Sequence, residues 1–196
     1  GLKKGLGRAL ALAVFDPDKR SNLFGDASLL FWSIVITQTP KEQGDLPFEE
    51  QGHVPLVFAS GSFKNPWMRW HILDKEGFPL VEAYVRFEHF LPPRSRIWTD
   101  HKNLKYIFDP GSRPIGTTLS TVRRLNRWQL ILIAHDYQLR HTDGERNLWA
   151  DLLTRFRAPM LVVCPLCNAT VVSWLRHFCG ESEKIPETKR SETLPV

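Results

Sequence analysis

Apolar, aromatic and β-branched residues come in short runs that polar segments separate along the first third of the chain. The runs at 22–28 (NLFGDAS) and 30–38 (LFWSIVITQ) have the composition of strands and predict a hairpin. A polar segment at 39–52, which contains prolines and glycines, precedes a third apolar run at 54–63. Three consecutive strands are therefore predicted.

The spacing of apolar residues changes to the helical period over 73–90, where two prolines at 92–93 end the run. A short apolar strand at 96–99 follows and leads into Asp100, and 102–108 (KNLKYIF) predicts a short helix. The pattern along the rest of the domain predicts a further helix, a strand and a final helix.

Residues 119–133 are amphipathic, 136–142 alternate as a strand does, and 147–156 (NLWADLLTRF) predict a final helix. The order of elements indicates an α/β fold in one domain. Its length of 196 residues, with 42% hydrophobic and 24% charged residues, is that of an ordinary globular domain.

Charge and cysteine content narrow the class of protein. No apolar stretch reaches the roughly 18 to 20 residues that a membrane span needs, and the N-terminus lacks the pattern of a secretion signal, so no membrane partner is expected. All three cysteines lie within 164–179, which does not suggest a disulfide framework and favours a reducing compartment. A net charge of +5 is compatible with a polyanionic partner without identifying one.

Four acidic residues lie within or at the end of predicted strands and helices. They are Asp26 inside the first strand, Glu76 early in the long helix, Asp100 at a strand end and Asp151 in the last helix. A single acid is usually a solvated surface residue or a helix cap. An Asp inside an apolar strand, however, needs a compensating partner. Carboxylates gathered from separate elements repel one another unless divalent cations neutralise them, so the set predicts Mg²⁺ or Mn²⁺.

Over residues 15–156 the chain resembles the ribonuclease H domain that follows the reverse transcriptase in gypsy-type LTR retroelements, especially those of oomycetes. The resemblance rests on five stretches of sequence, which are FGDASLLFWSIVITQ with Asp26, LDKEGFPLVEA with Glu76, WTDHKNLKYIF with Asp100, RRLNRWQLIL, and GERNLWADLLTRF with Asp151. It implies a ribonuclease H-like fold with a five-stranded mixed sheet flanked by helices.

The same resemblance implies the function. Asp26, Glu76, Asp100 and Asp151 correspond to the four metal-binding acids of the family. Enzymes of this family hydrolyse the RNA strand of RNA:DNA hybrids. Two Mg²⁺ or Mn²⁺ ions, roughly 3.5 to 4 Å apart, support such phosphodiester cleavage. The implied partners are an RNA:DNA hybrid and a covalently linked reverse transcriptase, the RNA-directed DNA polymerase of a retrotransposon polyprotein. A retroelement product is expected in the cytoplasm or a virus-like particle.

Basic and histidine residues near these acids are candidates for contact with nucleic acid. The candidates are His101, Lys102, Arg123, Arg124 and Arg127. His101 would alternatively orient the helix that follows it. The arginines would alternatively form the solvated face of an amphipathic helix while Trp128, Leu130 and Leu132 pack inward. His141 is either a proton-transfer residue or an ordinary exposed strand residue.

The C-terminal segment carries a second metal hypothesis. Cys164, Cys167, His177 and Cys179 offer four zinc ligands, although only the first pair has the spacing of a zinc knuckle, and a merely hydrophobic extension is the alternative.

The sequence divides the chain into four parts. They are a connection from an upstream reverse transcriptase part at 1–14, a ribonuclease H-like domain at 15–157, a Cys/His-containing extension at 158–180, and a disordered tail at 181–196.

Gly77 and Pro79 follow Glu76 within its helix, where glycine costs about 1 kcal/mol and proline about 3 kcal/mol. A helix that starts near Asp74 would place Pro79 at the edge of the first turn, where it does less harm. These two residues motivate a second functional hypothesis, a weakened or domesticated domain that binds nucleic acid or a protein without cutting. A third, an integrase or resolvase of the same superfold, predicts a different spacing of the acids.

Overall fold

Six strands and two helices make up the part of the chain that the computed structural model describes, residues 12–44, 46–47, 50–101, 104, 108, 118–142 and 160–163. The strands are β1 (Arg20–Ala27), β2 (Phe31–Thr39), β3 (Val54–Ser62), β4 (Ser95–Thr99), β5 (Tyr137–His141) and β6 (Met160–Val163). The helices are α1 (Ile72–Phe87) and α2 (Leu119–Leu132). Single 3-10 turns lie at Lys41–Gln43, Trp67–Arg69 and Glu88–Phe90.

All six strands belong to one mixed sheet in the order β5-β4-β1-β2-β3-β6. The pairs β1–β2 and β2–β3 are antiparallel, whereas β1–β4 and β4–β5 are parallel. The α/β fold, with its mixed sheet and helices, is confirmed, and the first five strands lie within a residue or two of their predicted bounds.

The sixth strand was not predicted. Residues 160–163 pair antiparallel with β3, with Phe58 opposite Val162 and Ser60 opposite Met160. They belong to the segment predicted as the Cys/His-containing extension. A run of four apolar residues is too short to show a period of two, and only its pairing with β3 identifies it as a strand.

The main core lies where both helices pack against the sheet. It contains fully buried side chains from strands and helices alike, among them Leu23, Ile34, Ile36, Leu80, Phe87, Ile97 and Leu132. A smaller cluster of Phe24, Val35 and Phe58 is packed by Trp98 and Leu12. Apolar residues at helical spacing and apolar residues of the strands therefore pack together in the main core.

Glycines at two positions allow close packing around α1. A Cβ atom on Gly25 in β1 would lie 2.7 Å from Leu80 Cδ2 and 3.2 Å from Pro79 Cβ, so only glycine lets the helix approach the strand this closely. A Cβ atom on Gly77 would lie 3.2 Å from Phe108 Cζ and 3.4 Å from Trp128 Cζ3. Gly77 therefore allows α1 to pack closely against Phe108 and α2, which explains its presence in a helix interior.

Helix α1 begins at Ile72, where the Nδ1 atom of His71 accepts a hydrogen bond from the backbone N–H of Leu73. The alternative start near Asp74 is wrong, because Pro79 lies inside the helix rather than in its first turn. The helix nevertheless runs on to Phe87, and a 3-10 turn carries the chain to Phe90. Tertiary packing thus outweighs the intrinsic cost of Pro79.

A buried ion pair joins the two helices. Asp74 is 0% exposed, and its Oδ2 lies 2.6 Å from Arg124 Nη1 and accepts a hydrogen bond from the Thr121 hydroxyl at 3.0 Å. The Arg124 guanidinium also lies 4.4 Å from the centroid of the Trp70 ring. Arg124 therefore serves the packing of α2 on α1, whereas Arg123 is exposed on the same helix.

Replacing Arg124 by alanine should destabilise the fold, since it leaves the Asp74 carboxylate buried without its cation. We expect the free energy of unfolding to fall by about 3 kcal/mol, measured by urea denaturation at neutral pH. The matched control Arg123→Ala removes an exposed arginine one residue away and should change the value by less than about 0.5 kcal/mol. Equal effects of the two substitutions would contradict a stabilising role for the ion pair.

Candidate metal centre

Three of the four predicted acids meet at one point. Carboxylate oxygens of Asp26, Glu76 and Asp100 all lie within 4.8 Å of one another, and each of the three residues is partly buried. They form the one cluster of metal-binding character found among the described residues. The residues come from a strand, a helix and the end of another strand, so the fold, and not the sequence spacing, brings them together.

Parallel pairing of β1 with β4 positions the two aspartates. Leu23 lies opposite Ile97 and Phe24 opposite Trp98, so the carboxyl ends of both strands lie at the same edge of the sheet. Asp26 is the second-last residue of β1, and Asp100 directly follows β4. The two carboxylates therefore reach the same place from neighbouring strands.

Glu76 reaches the cluster from the second turn of α1. The backbone N–H of Ala27, at the end of β1, donates a hydrogen bond to the Glu76 carboxylate. The contact of Gly25 with Pro79 and Leu80 holds the same helix against the same strand. Neither Gly77 nor Pro79 displaces Glu76 from the other two acids.

The electrostatics of the cluster are those of like charges in a partly buried place. Burial, then the negative charge of Asp26 and then that of Asp100 together raise the pKa of Glu76 from 4.5 to about 8, against the lowering effect of the Ala27 N–H. A carboxyl with this pKa holds a proton near neutral pH unless a cation replaces it. The site is therefore suited to bind positive charge.

Two histidines lie beside Asp100. The Nε2 atom of His141, the last residue of β5, lies 3.2 Å from the backbone carbonyl oxygen of Asp100. The backbone N–H of His101 donates to Thr99 Oγ1 at 3.2 Å, and its ring Nδ1 is buried without a hydrogen-bond partner among the described residues. Burial lowers the pKa of His101 against the raising effects of the Asp100 charge and of its own backbone, and the nearby His71 lowers it as well, which favours a neutral ring.

The remaining predicted site residues are distributed as follows. Arg123 and Arg127 are exposed one helical turn apart on α2, whereas Arg124 is engaged with Asp74. Trp128 packs against Trp70 and Phe78, as its predicted inward role requires. Leu130, predicted to pack inward, is 69% exposed, and this prediction is wrong.

Several predicted residues lie outside the described part of the chain. They are Asp151, Lys102, and the four predicted zinc ligands Cys164, Cys167, His177 and Cys179. Their roles remain predictions.

One supporting residue was not predicted. Lys75, next to Glu76, is only 2% exposed, and its Nζ donates to the backbone carbonyls of Leu29 at 2.6 Å and Met68 at 3.1 Å. It thereby fastens the β1–β2 turn and the loop before α1 to the helix that carries Glu76. The sequence signal was the run of three charged residues, Asp74 to Glu76, on a helix that otherwise has an apolar face.

Residues 16–135 match the family described as "RNase H-like domain found in reverse transcriptase". The chain belongs to this family. The resemblance to the ribonuclease H domain of retroelement polyproteins is thereby confirmed, while its gypsy-type and oomycete details remain predictions.

Two relatives illustrate the family's range. The chain is 30% identical over 155 residues to the enzymatic polyprotein of Figwort mosaic virus and 26% identical over 144 residues to the transposon Tf2-3 polyprotein of Schizosaccharomyces pombe. These matches cover 79% and 72% of this chain, but it spans only 22% and 10% of the two polyproteins.

A solved structure supports the fold. The foamy viral protease-reverse transcriptase in complex with dsDNA superposes with a TM-score of 0.53 at 18% identity, over 72% of this chain and 27% of that one. This likeness concerns the fold alone.

Neither helix of the described part of the chain has the length and apolar character that a membrane span requires.

Replacing Glu76 by glutamine should stabilise the metal-free protein, and increasingly so as the pH rises. Below the unfolded pKa of 4.5 both states hold the proton, whereas between pH 4.5 and about 8 the folded state retains a proton that the unfolded state has lost. Wild-type stability therefore falls across this window by about 2 to 4 kcal/mol, a loss that the variant escapes.

The measurement is urea denaturation of both proteins in EDTA at pH 5, 6, 7 and 8, with the exposed Glu42→Gln as the control. A stability difference between wild type and Glu76→Gln that does not grow with pH would show that Glu76 is not held in a repulsive cluster. Added Mg²⁺ should reduce the pH dependence of the wild type, since the cation replaces the proton.

Proposed function

We propose that this chain is a ribonuclease H, an endonuclease that hydrolyses the RNA strand of RNA:DNA hybrids with two divalent metal ions. The observation that carries the proposal is the convergence of the Asp26, Glu76 and Asp100 carboxylates within 4.8 Å at one edge of the sheet. Membership in the reverse-transcriptase RNase H-like family supports it.

The donor set fits Mg²⁺ or Mn²⁺. Carboxylate oxygens are hard ligands, and three of them in one partly buried place carry more negative charge than they tolerate without cations. Divalent ions bound there would activate water and stabilise the leaving oxygen of a phosphodiester. In this proposal Asp26, Glu76 and Asp100 hold the ions, and Asp151 is the fourth ligand.

The residues around the carboxylates have proposed roles of their own. The ring of His141 lies 3.2 Å from the backbone carbonyl oxygen of Asp100, which supports a proposed role for it in moving a proton during hydrolysis. Burial lowers the pKa of His101, next to Asp100, and we propose that this residue orients the backbone after β4 rather than supplying a cation to phosphate.

The proposed partners are an RNA:DNA hybrid and a covalently linked reverse transcriptase. The relatives are polyproteins of which this chain spans about a fifth or less, which supports a linked neighbour. We further propose that the parent polyprotein acts in the cytoplasm or in a virus-like particle. The alternative, a domain that binds without cutting, was motivated by Gly77 and Pro79, yet Glu76 lies within the cluster despite both.

Wild-type protein should cut a labelled RNA:DNA hybrid in Mg²⁺ or Mn²⁺ and leave double-stranded DNA and single-stranded RNA intact. Asp26→Asn and Asp100→Asn should each lower the cleavage rate at least about 100-fold, because each removes a charged metal ligand. The measurement is single-turnover cleavage resolved on a denaturing gel.

The exposed Asp18→Asn is the matched control and should cut at the wild-type rate. A folded wild-type protein that binds the hybrid tightly and cuts it with neither metal would favour the binding-only alternative. Equal cutting by wild type and both aspartate variants would exclude the proposed centre.

The exposed arginines of α2 provide a separate test of hybrid binding. We propose that Arg123 and Arg127 contact phosphates, so Arg123→Gln with Arg127→Gln should weaken hybrid binding and flatten its salt dependence by about 1 to 2 in the slope of log K against log salt. Fluorescence anisotropy of a labelled hybrid in EDTA measures binding without cleavage. The exposed Arg140→Gln is the control, and an unchanged slope in the double variant would remove α2 from the interface.

A further inference from the structure

A cavity lies at the opposite end of the sheet from the carboxylates. It has a volume of about 310 Å³, and its walls come from the start of β1, the chain after β2, and the turn that leads into β4. Because β1 runs from Arg20 to Asp26 at about 3.3 Å per residue, the two sites are about 20 Å apart. None of the proposed catalytic residues lines this cavity.

The lining of the cavity is strongly basic. Among the described residues, Lys19, Arg20, Lys41 and Arg94 line it, and no acidic residue does so. An acidic contact within this described part is that of Asp16 Oδ2, 3.7 Å from Lys19 Nζ, where both side chains are well exposed. Four cations from three segments therefore converge on one concave place, which attracts a multiply charged anion.

A fifth cation lies behind this lining. Arg96 is only 4% exposed, and its guanidinium lies beside that of Arg20, since both lie 3.0 Å from the position that a Cβ atom on Gly44 would take. Arg96 therefore lies directly behind Arg20 of the lining.

One residue of the lining also has a buried hydroxyl without a partner among the described residues. Ser21 lines the cavity and is 1% exposed, and its Oγ has no hydrogen-bond partner among the described residues. The hydroxyl of Ser95, the other serine of the lining, donates a hydrogen bond to the backbone carbonyl of Pro92. Buried polar atoms in native proteins are nearly always satisfied, so Ser21 is a ready donor to a bound oxyanion.

The turn that carries Arg94 is held in an uncommon conformation. Arg94 has a φ of 67°, in the left-handed region that residues other than glycine rarely adopt. Its backbone N–H donates to the carbonyl of Asp136 at 2.6 Å, which fixes the backbone of this lining residue. The side chain of Arg94 therefore extends from a backbone of constrained conformation.

We propose that this cavity binds a short polyphosphate chain, either free or as part of a nucleoside triphosphate. Several phosphates match four cations and one hydroxyl donor, and the half-open, concave shape suits a small anion. The backbone of a duplex would instead need an extended stripe of cations along the surface. The site does not depend on the proposed nuclease function, because it shares no residue with it.

Isothermal titration calorimetry of the full chain with inorganic triphosphate and with ATP tests the proposal, in EDTA so that no metal links a phosphate to the carboxylates. We expect a dissociation constant below about 1 mM for inorganic triphosphate. Arg94→Asn, which removes the charge and keeps a residue that tolerates left-handed backbone, should weaken binding at least about tenfold. Ser21→Ala should weaken it about threefold.

The exposed Arg69→Gln, outside the cavity, is the matched control and should bind as the wild type does. Equal affinity for triphosphate and ATP would identify the phosphate chain as the ligand, and tighter binding of ATP would identify a nucleotide. Binding weaker than millimolar, or unaffected by Arg94→Asn and Ser21→Ala, would overturn the proposal. Capture of single-stranded DNA at this cavity without binding of triphosphate would overturn it in favour of a nucleic-acid contact.

Discussion

The carboxylates at the sheet edge repel one another, and the packing around α1 has to hold them together against this repulsion. Burial, and after it the charges of Asp26 and Asp100, raise the pKa of Glu76, so in the absence of cations the three acids resist being held together. Binding energy from elsewhere in the fold must offset this repulsion. Parallel pairing of β1 with β4 fixes the two aspartates, and the N–H of Ala27 together with the close approach at Gly25 fixes the glutamate.

Three consecutive charged residues on α1 show how the helix meets this constraint. Successive side chains of a helix point about 100° apart, so Asp74, Lys75 and Glu76 face three different directions. Asp74 binds Arg124 and the hydroxyl of Thr121 on α2, and Lys75 donates to two loop carbonyls. The two buried charges anchor the helix on both sides of Glu76, which leaves that carboxylate directed to the cluster.

The elements of the fold follow from local patterns, whereas several roles follow only from tertiary contacts. Short apolar runs, rich in aromatic and β-branched residues at β1 and β2, predict β1 to β4, and alternation predicts β5. The position of Asp26 inside an apolar run marks it as a candidate site residue. Arg124 is indistinguishable from Arg123 in sequence, since only the position of Asp74 on another helix decides which arginine is buried. Gly77 reads as a helix-weakening residue until Phe108 and Trp128 are seen against it.

The two ends of β1 and β4 carry opposite charge, which a net value of +5 conceals. Carboxylates gather where the strands end, and lysine and arginine side chains gather where they begin. A polyanion is therefore repelled from the acidic end and attracted to the basic end as long as no cation is bound. Divalent ions at the carboxylates would reverse the sign of that end, so the same ions that serve the proposed hydrolysis would also admit its anionic substrate.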